Sequence, residues 1–392
     1  MKIDWSGRSH EYSKEDIKYF TKVIKYADPL TQGIYLKKFE SNFSSYIKSK
    51  NVLAVSSAAS ALEMIATIID LKKNDEVIIP SHTYCASAIP FARNSAKIIW
   101  SDINLDTRVV DFSDIKRKIT KKTKAVVFVH LYGYAINLKP IEKYLRDRGI
   151  IIIEDCAQAL GAMVNNKMVG TQGDFACYSF HAQKNITTLG EGGMLFFKNK
   201  KFKNLFTQMR HNGHCNFDFK RKNYWLPAMG NLDFELENKW PFKFTLSEIQ
   251  CAAGIRMLKK LDKLNSLRIS RAKRAIKSWS SLNELSFNKN FLKKRHVYHL
   301  LSAYVKPSSK INRDKLINIL FTKYKIKCAV QYYPLNRYPL FKKNGFGKAN
   351  CPNTDNFYDN MISFPFQIWM SDKKFNYLIQ SVKKAIIELK KN

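Results

Sequence analysis

The sequence predicts an α/β protein whose larger part is a mostly parallel β-sheet, sandwiched between helices. From residue 51 onward, short runs rich in Val, Ile and Phe alternate with segments of helical periodicity. These runs are continuously apolar, which is typical of strands buried on both faces of a parallel sheet. Right-handed crossovers should connect the strands. A chain of 392 residues that is 45% hydrophobic is long enough to form more than one such domain.

The strand and helix predictions follow in chain order. Seven segments have the composition of buried strands, namely residues 51–55, 76–80, 96–103, 125–131, 150–154, 175–180 and 193–197. Helices are predicted for residues 57–70, 86–93, 138–148, 246–264 and 266–279. After about residue 265 the pattern changes to helices mixed with separated strands. We therefore predict an N-terminal arm and a large domain in residues 1–264, and a smaller α+β domain in residues 265–392.

The chain is strongly basic, with 67 Lys and Arg against 32 Asp and Glu, a formal net charge of +35. Such a balance attracts anions, so nucleic acid, an anionic lipid surface or a phosphorylated substrate would each fit. The basic residues are spread over short clusters and form no single long stripe, which favours ordinary exposed lysines. We therefore expect no nucleic-acid partner. A nucleic-acid-binding or regulatory protein remains the alternative from another class, and it would bind DNA in a salt-sensitive manner.

The seven cysteines are isolated and form no C-x-x-C pair. We therefore expect neither a disulfide framework nor a structural zinc site. We expect the protein to lie in the reducing cytoplasm. We also predict no catalytic metal, since the histidines 211 and 214 have no acidic or cysteine partner at ligand spacing. No apolar run approaches the roughly 20 residues that a membrane helix needs, so membrane insertion is not expected.

Ligands of open α/β sheets bind beyond the carboxyl ends of the strands, and this rule selects the candidate site residues. The segment Ser56–Ser60 follows a predicted strand and opens a helix. Its small side chains and unpaired N–H groups suit a phosphate. An ordinary serine N-cap is the alternative interpretation.

Two further segments carry groups of complementary chemistry. Asp155 ends a buried strand, where a carboxylate needs a partner, and Gln158 follows three residues later. Asp155 could hold a cationic ring nitrogen or simply cap a helix. Lys184 lies in a nearly uncharged stretch between two predicted strands, where an amine with a lowered pKa can form an imine. A solvated surface lysine is the alternative interpretation.

An amine, an acid and an anion site together match pyridoxal 5'-phosphate (PLP). PLP needs a lysine for its aldehyde, an acid for its pyridine nitrogen and an anion site for its phosphate. Tyr84, directly after another strand, could stack on the ring, although an aromatic side chain there is also typical of plain core.

Several ordered motifs show that the chain resembles the DegT-like sugar aminotransferases, a PLP family of the aspartate-aminotransferase fold (fold type I). The resemblance covers about residues 33–382. The motifs are PSHTY at 80–84, VHLYG at 129–133, IEDCAQALGA at 153–162, GDFACYSFHAQKN at 173–185, GEGG at 190–193, YYPLNRYPLF at 332–341 and SFPF at 363–366.

The resemblance implies a Schiff base at Lys184, with Asp155 on the pyridine nitrogen and Gln158 beside the ring hydroxyl. Ser179 and the backbone of Ala58 and Ala59 would bind the phosphate. It also implies a homodimer whose active sites lie at the interface, with a phosphate contact lent by the neighbouring subunit.

Three positions depart from the family pattern. The phosphate loop usually reads Ser-Gly-Thr but here carries Ala58 and Ala59, so a hydroxyl is lost and Ser60 is a candidate to replace it. The interface turn has Lys243 where an Asn is usual, so Lys243 would face the phosphate. Asn336 stands where many members have His. We predict that Asn336 contacts the substrate.

Three further residues, His211, Asn212 and Tyr332, are candidates for the sugar site. By this resemblance the expected reaction moves an amino group from an amino acid, by analogy L-glutamate, to a keto sugar. The sugar would be nucleotide-linked, such as a 4-keto-6-deoxyhexose, or a keto derivative of an eight-carbon acidic sugar, for cell-surface polysaccharide or lipopolysaccharide.

Two other enzyme classes fit the sequence less well. A PLP-dependent sugar dehydratase of the same fold typically has His where this chain has Lys184. An NAD-dependent oxidoreductase would need a G-x-G-x-x-G turn after a strand, and the sequence has none.

Overall fold

The structure is a computed structural model that describes residues 1–214, 236–289, 294–308 and 310–391. Its strands are β1 Val52–Val55, β2 Glu76–Pro80, β3 Lys97–Ser101, β4 Thr123–Val129, β5 Ile151–Asp155, β6 Met163–Val164, β7 Lys167–Met168, β8 Phe175–Ser179, β9 Gly193–Phe197, β10 Leu285–Ser286, β11 Lys294–Arg295, β12 Leu301–Val305 and β13 Met361–Phe364. Its α-helices are α1 Lys14–Tyr26, α2 Ile34–Ile47, α3 Ala58–Ile68, α4 Ile89–Arg93, α5 Phe112–Lys118, α6 Lys139–Arg146, α7 Lys203–Arg210, α8 Glu248–Ser278, α9 Arg313–Thr322, α10 Pro339–Lys343, α11 Pro352–Asn360 and α12 Asp372–Lys391.

Seven strands form the central sheet in the order β1-β9-β8-β5-β4-β2-β3. Only β9 runs antiparallel to its neighbours, and the pairs from β8 to β3 are all parallel. All seven are strands that the sequence predicted, so the prediction of a mostly parallel sheet is confirmed. The parallel strands place their carboxyl ends along one edge, which is where ligand-binding residues can gather.

Helices cover both faces of this sheet. Alternate residues of β1 show this directly, because Leu53 and Val55 belong to one buried cluster, while Val52 and Ala54 belong to another. The first cluster includes α3 and the second includes α2 and the start of α8. The predicted sandwich is therefore confirmed, and burial of both faces explains why the strands lack polar alternation.

A third cluster forms around the smaller sheet β10-β12-β13, with α9 and α12 packed on it. Ile3 is part of this cluster and forms a parallel bridge with Ile326, so the first residues of the chain lie against its C-terminal part. The predicted division at residue 264 stays a prediction, and the residues on either side of it belong to one helix.

That helix, α8, is continuous over 31 residues, so the prediction of two separate helices was wrong. Asn265 is the residue between the two predicted helices. In the structure Asn265 is buried inside the helix, where its amide donates to the carbonyl oxygen of Leu160 at 3.0 Å and accepts from Asn185 at 2.8 Å. Tertiary hydrogen bonds therefore satisfy a polar side chain that looks like a helix boundary in the sequence.

The described cysteines are all free thiols, and Cys215 lies outside the described residues. Throughout the described part of the chain, no helix is both long and apolar enough to cross a lipid bilayer.

The buried carboxylate of Glu154 ties the middle of the sheet to the loop before β8. One oxygen accepts the backbone N–H groups of Gln172 and Gly173, both at 2.7 Å, and the other accepts Gly170 N–H at 2.8 Å. The second oxygen also lies 3.0 Å from His130 Nε2. Each oxygen of Glu154 thus accepts at least two hydrogen bonds, which is the condition for burying a carboxylate.

Replacing Glu154 by Gln should destabilise the protein by about 3 kcal/mol, because an NH₂ group would then face N–H donors in a site closed to water. Urea denaturation of Glu154→Gln measures this free energy of unfolding. Glu11→Gln is the control, since Glu11 is exposed. Equal stability of the two variants would show that the network around Glu154 contributes nothing.

Candidate active site

A cavity of about 520 Å³ lies at the carboxyl ends of the parallel strands, as the strand-end rule predicts. Its lining includes residues from the ends of five strands, β1, β2, β4, β5 and β8, and from the C-terminal part of the chain. The predicted site residues among them are Ala58, Ala59, Tyr84, Asp155, Gln158, Ser179, Lys184 and Tyr332. The fold therefore brings together residues that are up to 274 positions apart in the sequence (58 to 332).

The start of α3 forms one wall of this cavity. Ser57 caps the helix by accepting Ser60 N–H at 3.0 Å, which leaves the N–H groups of Ala58 and Ala59 in the unpaired first turn. Gly193 on β9 packs directly against this turn, and a Cβ atom there would lie 2.4 Å from the carbonyl carbon of Ser57. Glycine is needed at position 193 for this close approach, which fixes the helix tip at the cavity wall.

The hydroxyl of Ser60 does not reach the cavity. It lies 2.8 Å from the hydroxyls of both Ser56 and Ser57, so it is bonded within the loop. Ser179, across the cavity on β8, accepts His181 N–H at 3.3 Å and retains a hydroxyl hydrogen for another acceptor. An anion at the tip of α3 would thus meet two backbone N–H groups and the Ser179 hydroxyl.

Asp155 lies at the end of β5 and is only 6% exposed. Its carboxylate accepts the Ser87 hydroxyl at 2.7 Å and Ala157 N–H at 3.0 Å. None of the described Lys, Arg or His side chains forms an ion pair with it. The neighbouring Cys177 thiol stays neutral, because burial and the Asp155 charge raise its pKa well above the usual range. A buried carboxylate without an ion-pair partner among the described residues therefore borders the cavity, which suits a protonated ring nitrogen.

Lys184 lines the same cavity from the loop after β8. Burial lowers the pKa of its amine to about 8, although the charges of Asp155 and Glu191 oppose this shift. About a tenth of the amine is then neutral at pH 7, against less than about one part in a thousand for an ordinary lysine. Lys184 therefore has the reactivity that imine formation requires.

The N-terminal arm fixes the backbone at Lys184, a contact that no pattern in the sequence predicts. The carbonyl oxygen of Lys184 accepts the hydroxyl of Ser9 at 2.5 Å and lies 2.9 Å from His10 Nε2. Ser9 and His10 are 174 residues or more from Lys184 in the sequence. Only the folded chain brings them together.

Gln158 and two tyrosines close the cavity from the side of the C-terminal part. The Gln158 amide accepts Tyr132 N–H at 2.8 Å and donates to the Tyr332 hydroxyl at 2.9 Å. The ring of Tyr84 meets that of Tyr332 edge-on, with centroids 5.9 Å apart. Tyr84 is exposed, so one face of its ring is free for a ligand.

The other predicted site residues lie outside this cavity. His211 forms a backbone bridge with Lys243, and both Lys243 and Asn212 are exposed. Asn336 is buried and accepts the hydroxyl of Ser81 at 2.6 Å. Contacts of these four residues with cofactor or substrate stay predictions. For Lys243 that prediction concerns the cavity of a neighbouring subunit.

Ser87, His181, Gln183 and Glu191 also line the cavity. The last three lie within the motifs at 173–185 and 190–193 but were not predicted as site residues, and Ser87 lies outside every motif. Ser87 lies in a segment predicted as a regular helix, residues 86–93. The structure has a 3₁₀ turn at Cys85–Ser87, followed by the short helix α4. This turn is what directs the Ser87 hydroxyl to Asp155.

The residues around the cavity fit PLP by their chemistry. The unpaired carboxylate, the reactive amine and the helix tip correspond to its ring nitrogen, its aldehyde and its phosphate. The metal-type cluster of His130, Glu154 and Cys156 is a separate feature. The lone pairs of Glu154 already accept N–H groups there.

Comparison with known proteins agrees with this chemistry. The family model DegT/DnrJ/EryC1/StrS aminotransferase matches residues 10–383. An uncharacterized protein of Methanocaldococcus jannaschii is 31% identical over 96% of both chains. The GDP-perosamine synthase of Vibrio cholerae is 28% identical over 93% of this chain and 95% of its own.

A solved structure of a putative sugar aminotransferase from Streptococcus pneumoniae, in its PMP form, superposes with a TM-score of 0.89. It is 24% identical and covers 99% of this chain and 100% of its own, so the predicted fold type I is confirmed. The chain belongs to the DegT/DnrJ/EryC1/StrS aminotransferase family and is a PLP-dependent sugar aminotransferase.

Proposed function

We propose that this enzyme transfers the amino group of L-glutamate to the ketone of a nucleotide-linked keto sugar. A 4-keto-6-deoxyhexose is the first candidate, and a keto derivative of an eight-carbon acidic sugar is the second. The observation that carries the proposal is the meeting of the Lys184 amine and the unpaired Asp155 carboxylate in one cavity. The similarity to a GDP-perosamine synthase supports a nucleotide-linked substrate, and a net charge of +35 suits a diphosphate. Use of the product in cell-surface polysaccharide is part of the same proposal.

Each cofactor contact follows from a feature of the cavity. Lys184 would bind the PLP aldehyde, and Asp155 would hold a proton on the ring nitrogen. Gln158, whose amide already reaches the Tyr332 hydroxyl, would lie beside the ring hydroxyl. The phosphate would lie at the α3 tip, against Ala58 and Ala59 N–H and the Ser179 hydroxyl.

PLP, when bound, supplies a ring that withdraws electrons from the bonds at the reacting carbon. The protein's part is to hold the ring and to move protons. Lys184 Nζ would take the proton from the α-carbon of the amino donor, and its lowered pKa suits a base that works near neutral pH. Tyr84 would cover one face of the ring and limit the access of water.

We also propose that the active enzyme is a cytoplasmic homodimer. Lys243 is exposed and lies away from the cavity of its own chain, which is the arrangement expected if it serves the neighbouring subunit. Several large apolar side chains near the N-terminus are exposed in the single chain, and a subunit contact would cover them. They are Ile17, Ile24, Tyr26, Leu30 and Ile34.

Lys184→Ala should lower turnover by about 1000-fold or more, because both the covalent anchor and the base are lost. A panel of nucleotide-linked keto sugars is assayed with L-glutamate, and the release of 2-oxoglutarate is followed. Lys143→Ala is the matched lysine control, since Lys143 is exposed on α6 and does not line the cavity. Full turnover of Lys184→Ala would contradict the proposal. It would favour instead the PLP-dependent sugar dehydratase, which needs no lysine anchor.

The rate at which the PLP-free protein captures PLP should rise about tenfold per pH unit below about pH 7 and level off above about pH 9. The neutral amine is the nucleophile, and the pKa of Lys184 is about 8. Stopped-flow absorbance in the visible range measures this rate. An ordinary lysine, with a pKa near 10.5, would still give a tenfold rise between pH 9 and pH 10. That result would show that the Lys184 site does not lower the pKa.

A further inference from the structure

A second, smaller cavity of about 70 Å³ adjoins Lys184. It shares Gln183, Lys184, Gln331 and Tyr332 with the larger cavity, so a ligand at Lys184 can extend into it. Its remaining walls come from the N-terminal arm, from α8 and from the C-terminal part of the chain. A volume of this size holds a few water molecules or a small polar group.

Arg268 on α8 gives this cavity a buried positive charge. The side chain is 2% exposed, and no described Asp or Glu forms an ion pair with it. Its Nη1 lies 3.5 Å from the carbonyl oxygen of His299 and 3.4 Å from that of Phe366, both at the long limit of a hydrogen bond. Its Nη2 has no partner. Burial and the nearby Arg271 lower the pKa of Arg268 only to about 10, so the guanidinium stays charged at neutral pH.

Two further lining residues also carry buried polar atoms without partners. These are Nδ1 of His299 and the amide oxygen of Gln331. Burial and the charges of Lys184 and Arg268 hold the pKa of His299 well below its usual range, so the ring is neutral and can donate from Nδ1. The Gln331 amide can present its NH₂ group by a half turn. Unpaired buried polar atoms are costly, so three around one cavity indicate a missing ligand.

The charge of the cavity lining identifies the chemistry of that ligand. Arg8, Lys184 and Arg268 are among the lining residues, and no Asp or Glu is. A planar guanidinium with neighbouring neutral donors matches a carboxylate, which accepts several N–H groups at once. The phosphate cradle at the tip of α3 lies in the other cavity, so two anion sites would flank Lys184.

We infer that Arg268, His299 and Gln331 form a carboxylate subsite, which holds a carboxylate of the amino donor or of an acidic keto sugar. The inference rests on the proposed function, since it assumes that the reacting carbon lies at Lys184 Nζ. A carboxylate in this cavity would orient the substrate from the side opposite the phosphate cradle. It would also accept hydrogen bonds from the two unpaired nitrogens of Arg268 and His299, and from the NH₂ group of Gln331 once that amide has turned.

The test uses the PLP-loaded enzyme and compares wild type with Arg268→Gln and Arg268→Lys. The spectral change of PLP on adding L-glutamate gives the apparent Kd of the donor, and steady-state assays give the KM of the keto sugar. Loss of a charge-assisted hydrogen-bonded pair should raise the constant for the carboxylate-bearing substrate about 10- to 100-fold in Arg268→Gln. Arg268→Lys should recover part of the loss, because it keeps the charge but not the planar fork.

Arg271→Gln is the matched control. Arg271 lies on the same helix and bonds backbone carbonyls of Gln367 and Ile368, but it does not line the cavity. If only the Kd of the amino donor rises, the subsite binds the amino acid. If only the KM of the keto sugar rises, the subsite binds an acidic sugar. Unchanged constants in Arg268→Gln, or the same change in Arg271→Gln, would overturn the inference. An Arg268 that only ties carbonyls together would lower thermal stability and leave both constants unchanged.

A second measurement needs no turnover. Glutarate, a dicarboxylate without an amino group, should raise the melting temperature of the wild type and of Arg271→Gln but not that of Arg268→Gln. Equal protection of all three proteins would contradict the subsite. Borohydride labelling of Lys184 in each variant separates the two proposals. If Lys184 is labelled in Arg268→Gln but this variant no longer responds to the amino donor, the proposed function stands. If Lys184 is not labelled in the wild type, the proposed function is contradicted.

Discussion

The buried carboxylate of Asp155, which forms no ion pair with a described Lys, Arg or His side chain, is the constraint on which the rest of the site depends. Its two hydrogen bonds, from Ser87 and Ala157, orient it but do not balance its charge. Burying this carboxylate costs free energy, and a protonated ring nitrogen of PLP facing Asp155 would offset that cost. The same carboxylate raises the pKa of Lys184 and of Cys177, so it keeps the thiol neutral while burial brings the amine near pH 8.

The sheet supplies this arrangement through strand ends that lie side by side. Asp155 pairs with Cys177 across β5 and β8, and β8 ends at Ser179. Gly193 then lets β9 press the tip of α3 against the cavity. The N-terminal arm and α8 add the groups around Lys184 that the sheet cannot provide. Acid, amine and anion site are therefore held by different elements, and each keeps its geometry because the core beneath it is packed on both faces of the sheet.

Much of the large domain could be predicted from the sequence, because its signals are local. Apolar runs mark the strands, and the strand-end rule by itself selects Asp155, Ser179 and the Ser57 loop. The continuity of α8 could not be predicted, since only the contacts of Asn265 with Leu160 and Asn185 make a buried polar residue acceptable there.

The same limit applies to parts of the site. The bonds of Ser9 and His10 to Lys184, and the buried position of Asn336 beside Ser81, depend on long-range packing. Arg268, whose side chain forms no ion pair with a described Asp or Glu, is also indistinguishable in the sequence from the other basic residues of its helix. Long-range contacts decide whether a buried polar group has a hydrogen-bond partner, and they produce no periodic pattern in the sequence. They are therefore visible only in the folded structure.

The protonation state of the ring nitrogen tests the central claim most directly. The enzyme is loaded with PLP that carries ¹⁵N in its ring, and the nitrogen chemical shift is followed by NMR from about pH 6 to about pH 9 in wild type and Asp155→Asn. The account predicts a protonated nitrogen over the whole range in the wild type and a loss of that proton in the variant. An unprotonated nitrogen in the wild type, or the same shift in both proteins, would contradict it.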